Sequence, residues 1–413
     1  MKRIFSMVAL AAACISLTYC SDNDSPSEGG GTVEYPAPVA IPKSNSMQLY
    51  MHYMPWFESN ESSANGKWGY HWTMANKNPD NIASDGKREI ASHYYPMIGP
   101  YHSGDPYVIE NHLLTMKYSG VDGLLINWYG SYDLNDFKIN RINSEQIIEM
   151  CKKLGMNYAL VYEDRFLPDI VGAGLAPTIA SAARADGYYM NKHYFGDSNY
   201  IQINGKPLLL NFGPMSLKTE SQWTKAFSLM DKKPEFLTLW NQSQEAGGNA
   251  QGEFAWVYKD NTALTDFYAN RIKNLKTAIA GAYPGFVDYY AEGGDPTKIG
   301  WSIPHNNGAT FDETLNLAKN SGLKHLQLIT WNDFGEGTMI EPTKEFGFSY
   351  VQKLKNFAGV QEKTDVFPEI FKLFELRKKY PANADTQRKL DEVAALFAAN
   401  QATTAISKLS QIQ

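Results

Sequence analysis

Cysteine is nearly absent from this chain. Of 413 residues only three are Cys. Cys14 and Cys20 fall in the N-terminal leader, so Cys151 alone belongs to the folded part and no internal disulfide can form. Its setting, Ile147-Ile148-Glu149-Met150-Cys151 on a helical pattern, fits a buried structural thiol. Metal-ligand spacings such as H-x-x-x-H are missing as well, so neither a specific metal site nor a cofactor is expected. Runs of one charge are lacking: the formal net charge is -6 and Lys and Arg are scattered, which excludes an electrostatic footprint for nucleic acid.

Long apolar stretches are confined to the start. Lys2 and Arg3 precede an apolar run over about residues 5–18, too short and wrongly flanked for a membrane span and fitting a secretory signal. Cys20 follows Leu17-Thr18-Tyr19, as the lipidated residue of a bacterial lipoprotein does, although Tyr19 departs from the small residue usual there. The expectation is a chain anchored to the outer membrane through lipid on Cys20, on its periplasmic face or at the cell surface, or else simply cleaved and secreted. Residues 21–43 follow as a tether, rich in Ser, Asp, Gly and Pro.

Aromatics are abundant, with 25 Tyr, 20 Phe and 9 Trp. Most such residues fill cores. Where Trp and Tyr gather beside His, Asn and Asp at strand ends, they also fit a platform for sugar rings. Eight strand candidates occur, at 47–54, 123–126, 158–162, 207–210, 236–240, 253–257, 278–283 and 325–330. They are mostly continuous apolar runs separated by helical stretches, as parallel strands covered on both faces require. The helices expected between them include 106–119, 144–154, 263–274 and 311–320, whereas 242–252 is too rich in Gly for a good helix.

The fold class read from this pattern is α/β, a (β/α)8 TIM barrel over residues 44–360, with C-terminal helices packed on its outside over 361–413. Two amphipathic helices are expected there, at 368–379 and 388–409, with Ile370, Phe371 and Phe374, then Leu390, Val393, Leu396 and Phe397, as buried faces. A monomer is expected.

The C-terminal ends of barrel strands meet at one face, so residues far apart in sequence converge there. Those ends carry His52 and Tyr53, Asn127 with Trp128 and Tyr129, Glu163, Asn211, Trp256, Tyr283 and Trp331. The long segment after the first strand adds Trp68, His71 and Trp72, read as a wall of a binding cleft. The chemistry centres on Trp331-Asn332-Asp333-Phe334-Gly335-Glu336-Gly337-Thr338, in which two carboxylates stand three residues apart after a buried strand. Breaking a glycosidic bond needs one carboxyl group that stays protonated to serve the departing oxygen and another that is ionised. A solvated loop with a capping role is the plainer reading of such a pair.

Together, His52-Tyr53-Met54-Pro55-Trp56, Trp68 with His71-Trp72, Tyr95-Pro96-Met97-Ile98-Gly99-Pro100-Tyr101, Gly120-Val121-Asp122-Gly123 with Trp128-Tyr129-Gly130, Gly281-Ala282-Tyr283-Pro284-Gly285-Phe286 and the Trp331–Thr338 segment resemble the glycoside hydrolase family 99 endo-α-mannosidases and their relatives in family 71. The resemblance spans about residues 47–357. It implies a retaining enzyme that cuts inside α-linked glycans such as mannan, with an oligosaccharide or polysaccharide as partner. It implies Glu336 as the acid that protonates the leaving oxygen and later the base that activates water. At the position of Asp333 the family has a Glu thought to take the proton of the sugar 2-hydroxyl, so that the substrate attacks itself. Asp is one methylene shorter, so its carboxylate reaches less far by roughly an ångström. An α-glucanase of the family 71 type, or a glycan-binding surface lipoprotein that does not cut, are the alternatives.

Overall fold

The computed structural model describes residues 35–412; the leader, Cys20 and most of the expected tether lie outside the described residues. Nine strands form one sheet: β1 Gln48–Tyr53, β2 Gly123–Trp128, β3 Asn157–Tyr162, β4 Gln202–Ile203, β5 Lys206–Asn211, β6 Glu235–Leu239, β7 Gly252–Phe254, β8 Thr277–Ala282 and β9 His325–Leu328. All pair in parallel except the two-residue β4, which is antiparallel to β5. Because β3 also pairs with β5, and β1 with both β2 and β9, the eight parallel strands close on themselves as a (β/α)8 barrel. The eight barrel strands match the eight apolar runs, with bounds shifted by a residue or a few.

Burial explains why those runs do not alternate. Every residue of β2 and β6 is buried, because one face looks into the barrel and the other onto helices. The weak crossover behaves as its glycines dictate: between β6 and β7 there is only the turn Ser243–Ala246 and a 3-10 turn, Gly247–Asn249. The second crossover helix departs from expectation, running Phe137–Leu154 and so beginning seven residues before position 144. Its first two turns carry Asn140 and Asn143, poor helix formers that are nonetheless fully buried, so packing overrides propensity. The helix Ile179–His193 was not among those expected.

The C-terminal region forms three helices, Phe367–Lys379, Ala384–Ala398 and Ala402–Leu409, instead of two. The break comes at Asn400, whose φ of 56° is left-handed and cannot continue a helix. Ile370 and Phe374 are buried as expected, as are Leu390, Val393, Leu396 and Phe397, whereas Phe371 is half-buried. The region is tied to the barrel by Arg377, whose guanidinium donates from Nε and Nη2 to Glu110 at 3.0 and 2.9 Å on the helix Pro106–Tyr118. Cys151 is buried and free.

Candidate active site

Alternation along a strand sends neighbouring side chains to opposite faces. The Tyr53 hydroxyl meets His112 Nδ1 at 2.9 Å, on the helix Pro106–Tyr118, so Tyr53 points out of the barrel and His52 points in. In the same way Trp128 packs outward against Tyr189 and Tyr194, while Asn127 turns inward and donates to Glu163 Oε1 at 3.0 Å. His52 is fully buried with neither ring nitrogen hydrogen-bonded, and it lies edge-on to Trp256 at 5.0 Å between ring centroids. Burial pushes its pKa down to about 3, against a smaller opposing influence from Asn127, so the ring is neutral near pH 7.

The two carboxylates follow β9. Asp333 is buried; its backbone N–H donates to Thr330 Oγ1 at 2.8 Å, and its Oδ1 accepts the backbone N–H of Glu336 at 3.0 Å. That last bond folds the loop so that the two acids share one site. Glycine suits this turn, since Gly337 has a φ of 65° and an added Cβ would come within 2.6 Å of the Val287 carbonyl. Burial raises Asp333 to about 7, against the backbone donors and with help from the charge of Glu163. Glu336 rises to about 8 through burial and then repulsion from Asp333; the Tyr290 hydroxyl, which donates to Oε1 at 3.1 Å, and Arg165 pull the other way.

Glu163 is buried, its charge acts on Asp333, and it is ion-paired with Arg165, with Nε 2.5 Å from Oε2. The Arg165 guanidinium lies 5.3 Å over the Phe212 ring, and Phe212 meets Trp256 at 4.8 Å. Trp256 thus links Phe212 to His52, Glu163 links Asn127 to Arg165, and the charge of Arg165 acts on Glu336, so that these residues form one cluster at the barrel mouth. Tyr129 adjoins it, packed on Phe166 at 4.4 Å and on Trp56 at 6.3 Å, and His71 stacks flat on Trp56 at 4.0 Å.

Several expected site residues do not reach this mouth. Tyr53 and Trp128 face outward helices, and Trp331 lies edge-on to His112 at 5.3 Å on that same outer side. Trp72 is fully buried behind Phe57, its indole N–H donating to the Tyr101 carbonyl at 2.8 Å. Tyr283 is buried and donates to Asn261 Oδ1 at 2.8 Å. Asn211 donates to the Tyr162 carbonyl and to Asp164, which itself receives the backbone N–H groups of Met215, Ser216 and Leu217; it braces a loop. Trp68, Trp72 and Trp128 therefore do not share one cleft. The period of two in a strand, and a core large enough to use Trp as filler, account for the difference.

The sequence reading did not assign Tyr290, Arg165 or Phe212 to the site, and it named Trp56 only as part of the His52–Trp56 motif. Arg165 and Phe212 closely follow strand-end residues that were singled out, Glu163 and Asn211, so the chain position was a usable signal. Tyr290 opens the short helix Tyr290–Gly293 and has no motif of its own.

The sequence profile that matches this chain is that of Glycosyl hydrolase family 99, over residues 45–165. That match supports a glycosidase. A glycoprotein endo-alpha-1,2-mannosidase-like protein of Danio rerio is 30% identical over 87 residues, 20% of this chain and 20% of that protein, so the chain spans about a fifth of that relative in the match. Among solved structures, the GH99 endo-alpha-mannosidase from Bacteroides thetaiotaomicron superposes with a TM-score of 0.58 at 17% identity, covering 79% of this chain and 98% of that one. A glycoside hydrolase-like protein reaches 0.53 at 12% identity over 80% of this chain and 98% of its own. At such identities these two show the fold.

Proposed function

We propose that the chain is a retaining, endo-acting α-glycoside hydrolase whose substrate is an α-linked mannan or a related glycan. The observation that carries this is the pair Asp333, buried, and Glu336, half-buried, both raised into the neutral range at the mouth of the barrel. Two such coupled acids lose their protons in two steps, so near neutrality the pair holds one proton. Glu336 is raised further and keeps it, which suits the acid that protonates the departing oxygen. Once it has given the proton up, Arg165 and the Tyr290 hydroxyl stabilise the carboxylate, which then takes a proton from water.

Asp333 is the ionised partner. In the internal route it removes the proton of the sugar 2-hydroxyl; that oxygen attacks the anomeric carbon as the glycosidic bond breaks, and water later opens the 1,2-anhydro ring. In the two-step route Asp333 itself attacks and is held as a glycosyl ester. A substrate lacking the 2-hydroxyl separates the two, since its cleavage is abolished on the first route and an ester on Asp333 forms only on the second. Mannose as the sugar rests on the likeness to the two endo-mannosidase proteins named above. Assaying α-mannans and α-glucans for new reducing ends tests the reading: internal cleavage of a mannan supports it, cleavage of glucan alone transfers it to an α-glucanase, and binding without cleavage contradicts catalysis.

The envelope location belongs to the same proposal. Radiolabelled palmitate is expected to enter the full-length chain in the producing bacterium and to be lost in Cys20→Ala; an unlabelled wild-type chain would point to secretion.

A further inference from the structure

A cleft of about 700 Å³ lies between residues 58–70 and residues 135–142, within the size range of small-molecule sites. Two aromatic rings on its wall are held in place from outside. The Trp68 indole N–H donates to Asp80 Oδ1 at 2.8 Å while the Arg88 guanidinium lies 5.4 Å from the ring centroid. The Tyr70 hydroxyl donates to Asp295, yet 49% of the residue remains exposed. A fixed ring with an open face loses little entropy when a sugar stacks on it. The polar wall carries charges of both signs, Glu58 and Asp136 with Lys67 and Lys138, besides neutral serines and asparagines. Asp136 precedes the helix Phe137–Leu154, but its side chain makes no cap there.

A series of ring contacts leads from the cleft to Tyr129, which follows Trp128 at the end of β2. Tyr70 meets His71 at 6.0 Å, His71 stacks on Trp56 at 4.0 Å, and Trp56 meets Tyr129 at 6.3 Å. Tyr129 is buried and packs in turn on Phe166 at 4.4 Å and on Phe137 at 5.7 Å, at the start of the helix that forms the other wall of the cleft.

We propose that this cleft binds further pyranose units of the same glycan, beyond the sugars that flank the scissile bond. The assignment rests on the glycosidase reading. Hydroxyl-rich sugars fit the combination of aromatic rings, carboxylate acceptors at Glu58 and Asp136, and ammonium donors at Lys67 and Lys138.

The test uses oligosaccharides from partly hydrolysed α-mannan, sized from disaccharide to hexasaccharide, with the wild-type chain and two variants. Ala64→Trp fills the cleft from an exposed position, and Asp136→Ala removes an acceptor without removing a cap. Affinity, read by calorimetry in a Glu336→Gln background, is expected to rise about tenfold when the chain grows long enough to enter the cleft, the effect of one or two good hydrogen bonds. Both variants are expected to flatten that rise, and kcat/KM should show the same length dependence where turnover is measured. Affinity independent of length in the wild type, or a length dependence that survives both variants, overturns the cleft. Length-dependent affinity without any turnover supports the cleft while contradicting the proposed catalysis, so the two failures are distinguishable.

Discussion

At Glu336 and Asp333 the environment decides which acid keeps its proton. Both folded-state values lie above those of free carboxyl groups, so activity requires a pH at which Asp333 has ionised and Glu336 has not. The expected profile of kcat/KM is a bell with its maximum near neutrality: it falls in acid as the pair takes up a second proton and in base as it loses its last. Arg165 favours the ionised form of Glu336, so Arg165→Gln should move the alkaline limb to higher pH. A profile that peaks near pH 4, or an alkaline limb that does not move, would contradict these assignments. This pair was legible in the sequence because both acids lie in one motif, Asp333 to Glu336. Tyr290, which holds Glu336 Oε1, was not legible, because proximity there is made by the chain folding back between β8 and β9.

At the scale of the element, the strand ends were readable as a set but not residue by residue. A cluster such as Asn127-Trp128 names a place on the barrel, and only the pleat decides that Asn127 faces in and Trp128 faces out. The outward residues have a role of their own. Behind the Asp333–Glu336 loop, Asn332 donates to the Tyr101 hydroxyl at 3.0 Å and Tyr101 donates to Glu341 Oε2 at 2.7 Å. Glu341 Oε1 lies 3.2 Å from His112 Nε2, and His112 reaches Tyr53. All five side chains are buried. Tyr101→Phe leaves a buried carboxylate oxygen and the Asn332 amide short of a partner, and is expected to lower the unfolding free energy by about 1–3 kcal/mol. Denaturant titration checks this; an unchanged midpoint would mean that the network does not hold the loop.

At the scale of the whole molecule, the eight-stranded closure followed from apolar runs that a barrel covers on both faces. Packing of the C-terminal helices on the barrel was expected from their apolar faces, but the ion pair that ties them, Glu110 with Arg377, was not readable because its partners stand 267 residues apart in sequence. Both partners are buried, so removing one strands the other's charge; Arg377→Ala is expected to cost about 3–5 kcal/mol. Simultaneous replacement by Glu110→Leu and Arg377→Met should cost much less, and equal losses in the single and double variants would show that packing rather than charge is at stake.

Glu336 is proposed to supply the proton for glycosidic cleavage, and Glu336→Gln is the decisive variant. The variant removes a proton donor and keeps the shape, so on a mannan cleaved by the wild type it is expected to release reducing ends roughly 10² to 10⁴ times more slowly, with ligand affinity nearly unchanged. Turnover within a few fold of the wild type would contradict the account.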